Sequence, residues 1–148
     1  MNIRPDDQNA LDLATATPGS VVVETSLTVT RPDLVAYANA SGDQNPIHQD
    51  EAFARSVGLP DVIAHGMLTM GLVASQVEAV ADGRRVLSYG ARFAAPVVVS
   101  SDEVSAPSVD VVLTLLSRDD AAGTVTLDAA VSVAGTKVLS RTRAVIQL

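Results

Sequence analysis

The sequence predicts an α+β fold in which a curved antiparallel sheet wraps one long buried helix. The elements run strand, helices, long helix and then four strands in succession. The stretch from Met67 to Ala81 carries Leu68, Met70, Leu72, Val73, Ala74, Val77 and Val80, and so is apolar on nearly every face. A helix of that kind is buried around most of its circumference, and a sheet curved about it supplies the burial. The 148 residues, 47% of them hydrophobic, are enough for one well-cored domain and too few for two ordinary ones, so residues 1–148 read as a single domain.

Residues 1–18 are polar and end at Pro18-Gly19, which reads as punctuation after a loosely held lead-in. Val21 to Thr30 is rich in β-branched residues and alternates through Val23, Thr25, Leu27 and Val29, as a half-buried strand does. Thr30-Arg31-Pro32-Asp33 then has the marks of a helix start: a capping hydroxyl, a proline in the first turn and an acid near the positive end of the dipole. Leu34, Val35, Ala38 and Ala40 are its expected inward face, and Gly42 its stop. A second short helix runs from Asp50 to Val57 with Phe53 as apolar anchor and Gly58 as terminator. Strands are expected over Arg85–Ala94, Glu103–Leu116, Thr124–Ala134 and Lys137–Leu148. Pro96 and Pro107 interrupt or flank them, and Asp119–Gly123 and Ala134-Gly135-Thr136 form the hairpin turns.

The net charge of −7, one lysine (Lys137) and the lack of any basic run argue against a nucleic-acid or anionic-membrane partner, since both need clustered cations. An anionic ligand has to be met locally, by Arg55, Arg84, Arg85, Arg92 or backbone N–H groups. Cysteine is absent, which fits a cytoplasmic protein and removes disulfide and thiolate chemistry. The start lacks the apolar segment of a secretory signal and no run reaches a membrane span, so a soluble, cytoplasmic protein is expected.

Tyr37 to Val80 holds both histidines, a dense polar cluster and the apolar helix. Within it Gly42-Asp43-Gln44-Asn45-Pro46-Ile47-His48 sets a carboxylate and an imidazole five residues apart across an Asn-Pro step. Residues at that interval on a continuous helix point well apart, and Pro46 pushes Asn45 toward extended geometry, so only a bent loop joins Asp43 to His48. Taken alone, the pair reads more readily as turn and helix caps than as chemistry. Gly66 opens the long helix, where its N–H belongs to the unpaired donors at the positive end. A lone glycine there is more often a packing requirement, and His65 more often a structural histidine. A metal site from Asp43, His48, Asp50 and His65 matches no zinc spacing, and none is expected. Met67 and Met70 read as core filler.

The string GDQNPIH at 42–48, followed by AHGML at 64–68, resembles the MaoC-like family of (R)-specific enoyl-CoA hydratases and β-hydroxyacyl dehydratases. The resemblance extends over about residues 20–148 and includes Arg92-Phe93 and Pro96-Val97. It implies the hotdog fold and an acyl thioester substrate carried on CoA or an acyl carrier protein, with no separate cofactor. Asp43 and His48 become the pair that grips the reacting water, Gly66 N–H the donor to the thioester carbonyl, and Gly42, Asn45 and Pro46 the residues that shape the loop. The likeness is nearest to the catalytic B-type subunit of a mycobacterial fatty-acid dehydratase, which works beside a motif-lacking partner. A homodimer, or a heterodimer with such a subunit, is therefore implied. Some family members add a serine on the central helix; Gly71, Ala74 and Ser75 occupy that region here without a clear equivalent. Hydration of a trans-2-enoyl thioester to the (R)-3-hydroxyacyl thioester, or its reverse, is the expected reaction. The alternatives are a hotdog thioesterase, which needs only a carboxylate, and a non-catalytic acyl-binding subunit, which ordinarily has a degraded motif.

Overall fold

The computed structural model describes residues 11–148, and the expected lead-in therefore lies outside the described residues up to position 10. From position 11 the lead-in is held down: Leu13 and Ala16 are buried, and the Arg118 guanidinium donates to the Leu13 carbonyl at 3.1 Å. Five strands follow in one antiparallel sheet: β1 (Val21–Thr28), β2 (Val86–Phe93), β3 (Ser108–Asp119), β4 (Thr124–Val133) and β5 (Thr136–Gln147). Their order across the sheet is β1-β3-β4-β5-β2, so the outer strands are the two that do not come from the C-terminal meander. Three helices complete the fold: α1 (Arg31–Ser41), α2 (Glu51–Ser56) and α3 (Gly66–Ala81).

Local chemistry sets most boundaries. Thr30 caps α1 through a reciprocal pair with Asp33, whose carboxylate accepts from the Thr30 N–H at 2.8 Å. Gly42 ends that helix at φ +80°, a left-handed conformation that other residues adopt at a cost, and its N–H closes onto the Ala38 carbonyl. Ala134 and Gly135 both take positive φ in the turn between β4 and β5, as a two-residue hairpin requires. Arg141 also has positive φ, at a point where β5 slips register against both neighbours, which makes it a bulge that bends the strand.

Side-chain direction departs from the sequence reading in several places. Leu34 and Ala38 are buried in α1, but Val35 and Ala40 face outward, since only one narrow stripe of this helix meets the core. The anchor of α2 is Ala54, fully buried, while Phe53 is 40% exposed. Glu103–Ser105 is a single 3-10 turn rather than strand, and β3 begins only after Pro107, which lacks the N–H a ladder needs. The long helix packs Leu68, Leu72, Val73, Val77, Val80 and Ala81 against the sheet. A stripe remains uncovered, with Met67 58% exposed and Gly71 and Glu78 also outward, so Met67 is not core filler.

Tyr89 of β2 ties the sheet to this helix by donating its hydroxyl to the Met70 carbonyl at 2.8 Å. Burial pushes the Tyr89 phenol up from 10.0 to about 12, because the phenolate loses hydration. The folded state keeps the proton after the unfolded chain has lost it, so this contribution is intact below pH 10 and is lost as pH rises toward about 12. Tyr89→Phe should lower the melting temperature at neutral pH by removing a hydrogen bond worth about 1 kcal/mol. It should also flatten the fall in stability across that alkaline window, which melts followed by circular dichroism measure.

Candidate active site

The loop after α1 is built from short side-chain-to-backbone bonds. Asp43 Oδ1 accepts from the Asn45 N–H at 3.2 Å, and Asn45 Oδ1 accepts from the Ile47 N–H at 3.1 Å. Asn45 thereby caps the 3-10 turn Pro46–His48, with proline in the position where a missing N–H does no harm. Nothing lies within 4 Å of where a Cβ on Gly42 would stand, so its glycine answers to backbone angle alone.

Two histidines fasten this loop to the segment that enters α3. His48 donates from Nδ1 to the Ile63 carbonyl at 2.7 Å, and His65 donates from Nε2 to the main-chain carbonyl of Asp43 at 3.0 Å. Each carbonyl can only accept, which fixes the hydrogen on those nitrogens. In the neutral His48 ring the remaining Nε2 is consequently a lone-pair acceptor, free of protein partners among the described residues, on a ring that lines a cavity. The two imidazoles stack with centroids 3.7 Å apart and planes 25° apart, and Tyr37 packs at a tilt against His65 with centroids 4.8 Å apart. His65 Nδ1 is buried with no hydrogen-bond partner among the described residues.

Arg31 secures the surroundings from below. Its guanidinium donates to Asp61 at 2.6 Å and to the Val99 carbonyl at 2.7 Å, and lies 3.6 Å from Glu51, which Arg55 also holds at 2.8 Å. The start of α1, the start of α2 and the chain entering Ile63 are thus joined at one partly buried cation. Arg31→Met should lower stability by about 1.5–3 kcal/mol, the scale of charged hydrogen bonds lost from a partly buried acceptor. The midpoint of urea unfolding checks it.

The constellation lies at the N-terminus of α3. No side chain caps that helix, and Gly66 provides its first N–H, with Thr69 N–H the first to pair back, onto the His65 carbonyl at 3.2 Å. A cavity of about 430 Å³ runs from His48, Gly66 and Thr69 between Ile63, Val97, Val138 and Leu139, and is apolar apart from its head. A second, of about 260 Å³, opens beside Tyr37, Asp43, His65 and Met67. Phe93 and Gly66 border both. A cluster of ligand-type atoms exists here, those of Asp43, His48 and His65 lying within 4.8 Å of one another. The two rings of the set stack near-parallel, and each spends one nitrogen on a main-chain carbonyl, which leaves one nitrogen on each. Asp50 is elsewhere, capping α2 through the Phe53 N–H.

The structure thus brings Asp43, His48 and Gly66 to one place, with Gly42, Asn45 and Pro46 forming the turn between the first two. Thr69 is a residue the sequence reading passed over. It is 3% exposed, lines the cavity beside His48, and its hydroxyl makes no hydrogen bond among the described residues. The available signal was a hydroxyl on the buried face of an otherwise apolar helix.

Comparison with known proteins decides the family: residues 13–113 match the MaoC-like domain. The chain belongs to that family. A 3-hydroxyacyl-thioester dehydratase X from Mycobacterium tuberculosis is 42% identical over 74 residues, which is 49% of this chain and 25% of that protein. A solved MaoC-like dehydratase superposes with a TM-score of 0.83 at 33% identity, over 91% of this chain and 41% of the other. The R-hydratase PhaJ1 from Pseudomonas aeruginosa gives 0.79 at 28% identity, over 90% of this chain and 83% of its own. This MaoC-like chain therefore has the hotdog fold, and it spans less than half the length of the first two of these relatives.

Proposed function

We propose that this MaoC-like protein adds water across trans-2-enoyl thioesters to give (R)-3-hydroxyacyl thioesters, and catalyses the reverse dehydration. The observation that carries the reading is the gathering of Asp43 and His48, with ligand-type atoms within 4.8 Å of one another, near the uncapped start of α3, where His48 lines an apolar cavity. The cavity takes the acyl chain, whose carrier is CoA or an acyl carrier protein. The Gly66 N–H, at the positive end of a helix of 16 residues, receives the thioester carbonyl as it gains negative charge. One of Asp43 and His48 removes a proton from water as its oxygen attacks the β-carbon, and the pair returns a proton to the α-carbon. The two titrate as a unit and exchange roles when the reaction runs backward. The Thr69 hydroxyl is placed to help hold the water near His48.

Asp43→Asn and His48→Gln should each leave a folded protein and lower turnover by about two orders of magnitude or more. Loss of enoyl-thioester absorbance without release of free thiol is the readout. Thiol release instead would mean thioester hydrolysis and would remove the hydratase reading.

A dimer formed across β2 is part of the same proposal. The outward positions of edge strand β1 are Val21 followed by the polar Glu24, Ser26 and Thr28, which protect most of it, whereas the other edge presents Val86 and Leu87 side by side, the latter 47% exposed. Leu87→Arg should convert the dimer to monomer in sedimentation velocity at micromolar concentration. A wild-type chain that is already monomeric there would point to a different, motif-lacking subunit as the partner. A cytoplasmic location fits this chemistry, and no helix among the described residues is long and apolar enough to cross a membrane.

A further inference from the structure

Phe93 ends β2 and lays its ring on the first turn of α3. A Cβ placed on Gly66 would stand 2.7 Å from the ring's Cε1 and 2.9 Å from Cζ, closer than atoms of this kind approach. A methyl group at 66 and the ring in this position therefore exclude one another, while the glycine's own backbone angle is one that any residue adopts. The same ring borders the cavity that holds His48 and the cavity that holds Asp43. The ring and Gly66, whose N–H is proposed to receive the thioester carbonyl, thus stand together where the two cavities adjoin.

The junction is where a substrate must lie. One thioester touched by Asp43 and His48 together, with its carbonyl on Gly66, reaches from one cavity to the other past this ring. Within one chain Phe93 is 59% exposed, and the chain leaves the ladder immediately after it, following a register shift between Gly90 and Arg92. Rotation about its side-chain bonds opens no part of the buried core and is fast on the scale of turnover.

We propose that Phe93 is a substrate-contacting gate that determines specificity: the ring turns off Gly66 when an acyl thioester binds, and its bulk then limits substitution at the α-carbon. This rests on the hydratase reading for the substrate's class. The test has three arms. The sequence contains no tryptophan, so the indole introduced by Phe93→Trp reports on this position alone. Butyryl-CoA, which is saturated and cannot be hydrated, should give a saturable change in the indole emission of that variant. No change at concentrations where butyryl-CoA competes with the enoyl substrate would overturn the gate. In the second arm, Phe93→Ala should raise the ratio of kcat/KM for 2-methyl-branched over straight-chain enoyl-CoA about 10-fold, the discrimination one carbon produces in an apolar site. An unchanged ratio would overturn the specificity role.

The third arm couples the two residues. Gly66→Ala keeps the N–H but puts a methyl group where the ring lies, and should hold the ring off the helix start, shifting the branched-to-straight ratio in the direction of Phe93→Ala with little further shift in the double variant Gly66→Ala, Phe93→Ala. A Gly66→Ala effect of the same size on top of Phe93→Ala would show that the ring is not what the methyl meets, and would overturn the gate. The indole emission of Phe93→Trp needs binding and no turnover, so the two readings separate. A wild-type protein inactive on every enoyl thioester, with the Phe93→Trp emission still responding to butyryl-CoA, removes the hydratase reading and keeps the gate.

Discussion

Two histidine-to-carbonyl hydrogen bonds, exchanged reciprocally, hold this site together. His48, on the loop, donates to Ile63 on the chain entering α3; His65, on that chain, donates back to Asp43 on the loop. The exchange closes the loop against the helix start and forces the rings into the stack that lies between the bonds. The cost is visible in His65 Nδ1, a buried nitrogen without a partner among the described residues, which the clasp and the stacking offset. Asp43, His48 and the Gly66 N–H are thereby fixed relative to one another by a contact that uses neither the Asp43 carboxylate, nor His48 Nε2, nor the Gly66 N–H.

That arrangement also explains why the local part of the site was legible in the sequence. Thr30, Asp33, Gly42, Asn45 and Pro46 act through neighbours a few positions away, so their residue types alone announce the cap, the left-handed stop and the turn. The long apolar helix and the strand-rich second half likewise follow from periodicity. Those signals depend on short stretches of chain and survive without knowledge of what packs against what.

Inside and outside were less legible, because an apolar side chain looks the same whether it meets a core, a ligand or a partner. Phe53 and Val35 are large and apolar yet outward, while small Ala54 and Ala38 sit against other elements. Met67 belongs to the rim of the site and Phe93 to its interior wall, functions that only the long-range approach of β2 to the start of α3 creates. Thr69 was hidden for the opposite reason: threonine within a helix ordinarily satisfies its own turn, and only the cavity beside it makes an unspent hydroxyl informative.

The clasp treats its acidic and imidazole members unequally. His65 holds the main chain of Asp43 and not its carboxylate, and the side chain's one further bond, to the Asn45 N–H, is an acceptor role that asparagine fills as well. His48, by contrast, carries a structural hydrogen bond on the same ring that faces the cavity. A gene copy can therefore drift at position 43 while its loop, helix start and cavity persist, whereas drift at 48 takes away one of the loop's two ties to the helix start together with the imidazole. The architecture gives descendants an open route to a silent scaffold that keeps this cavity and loop after the carboxylate has gone.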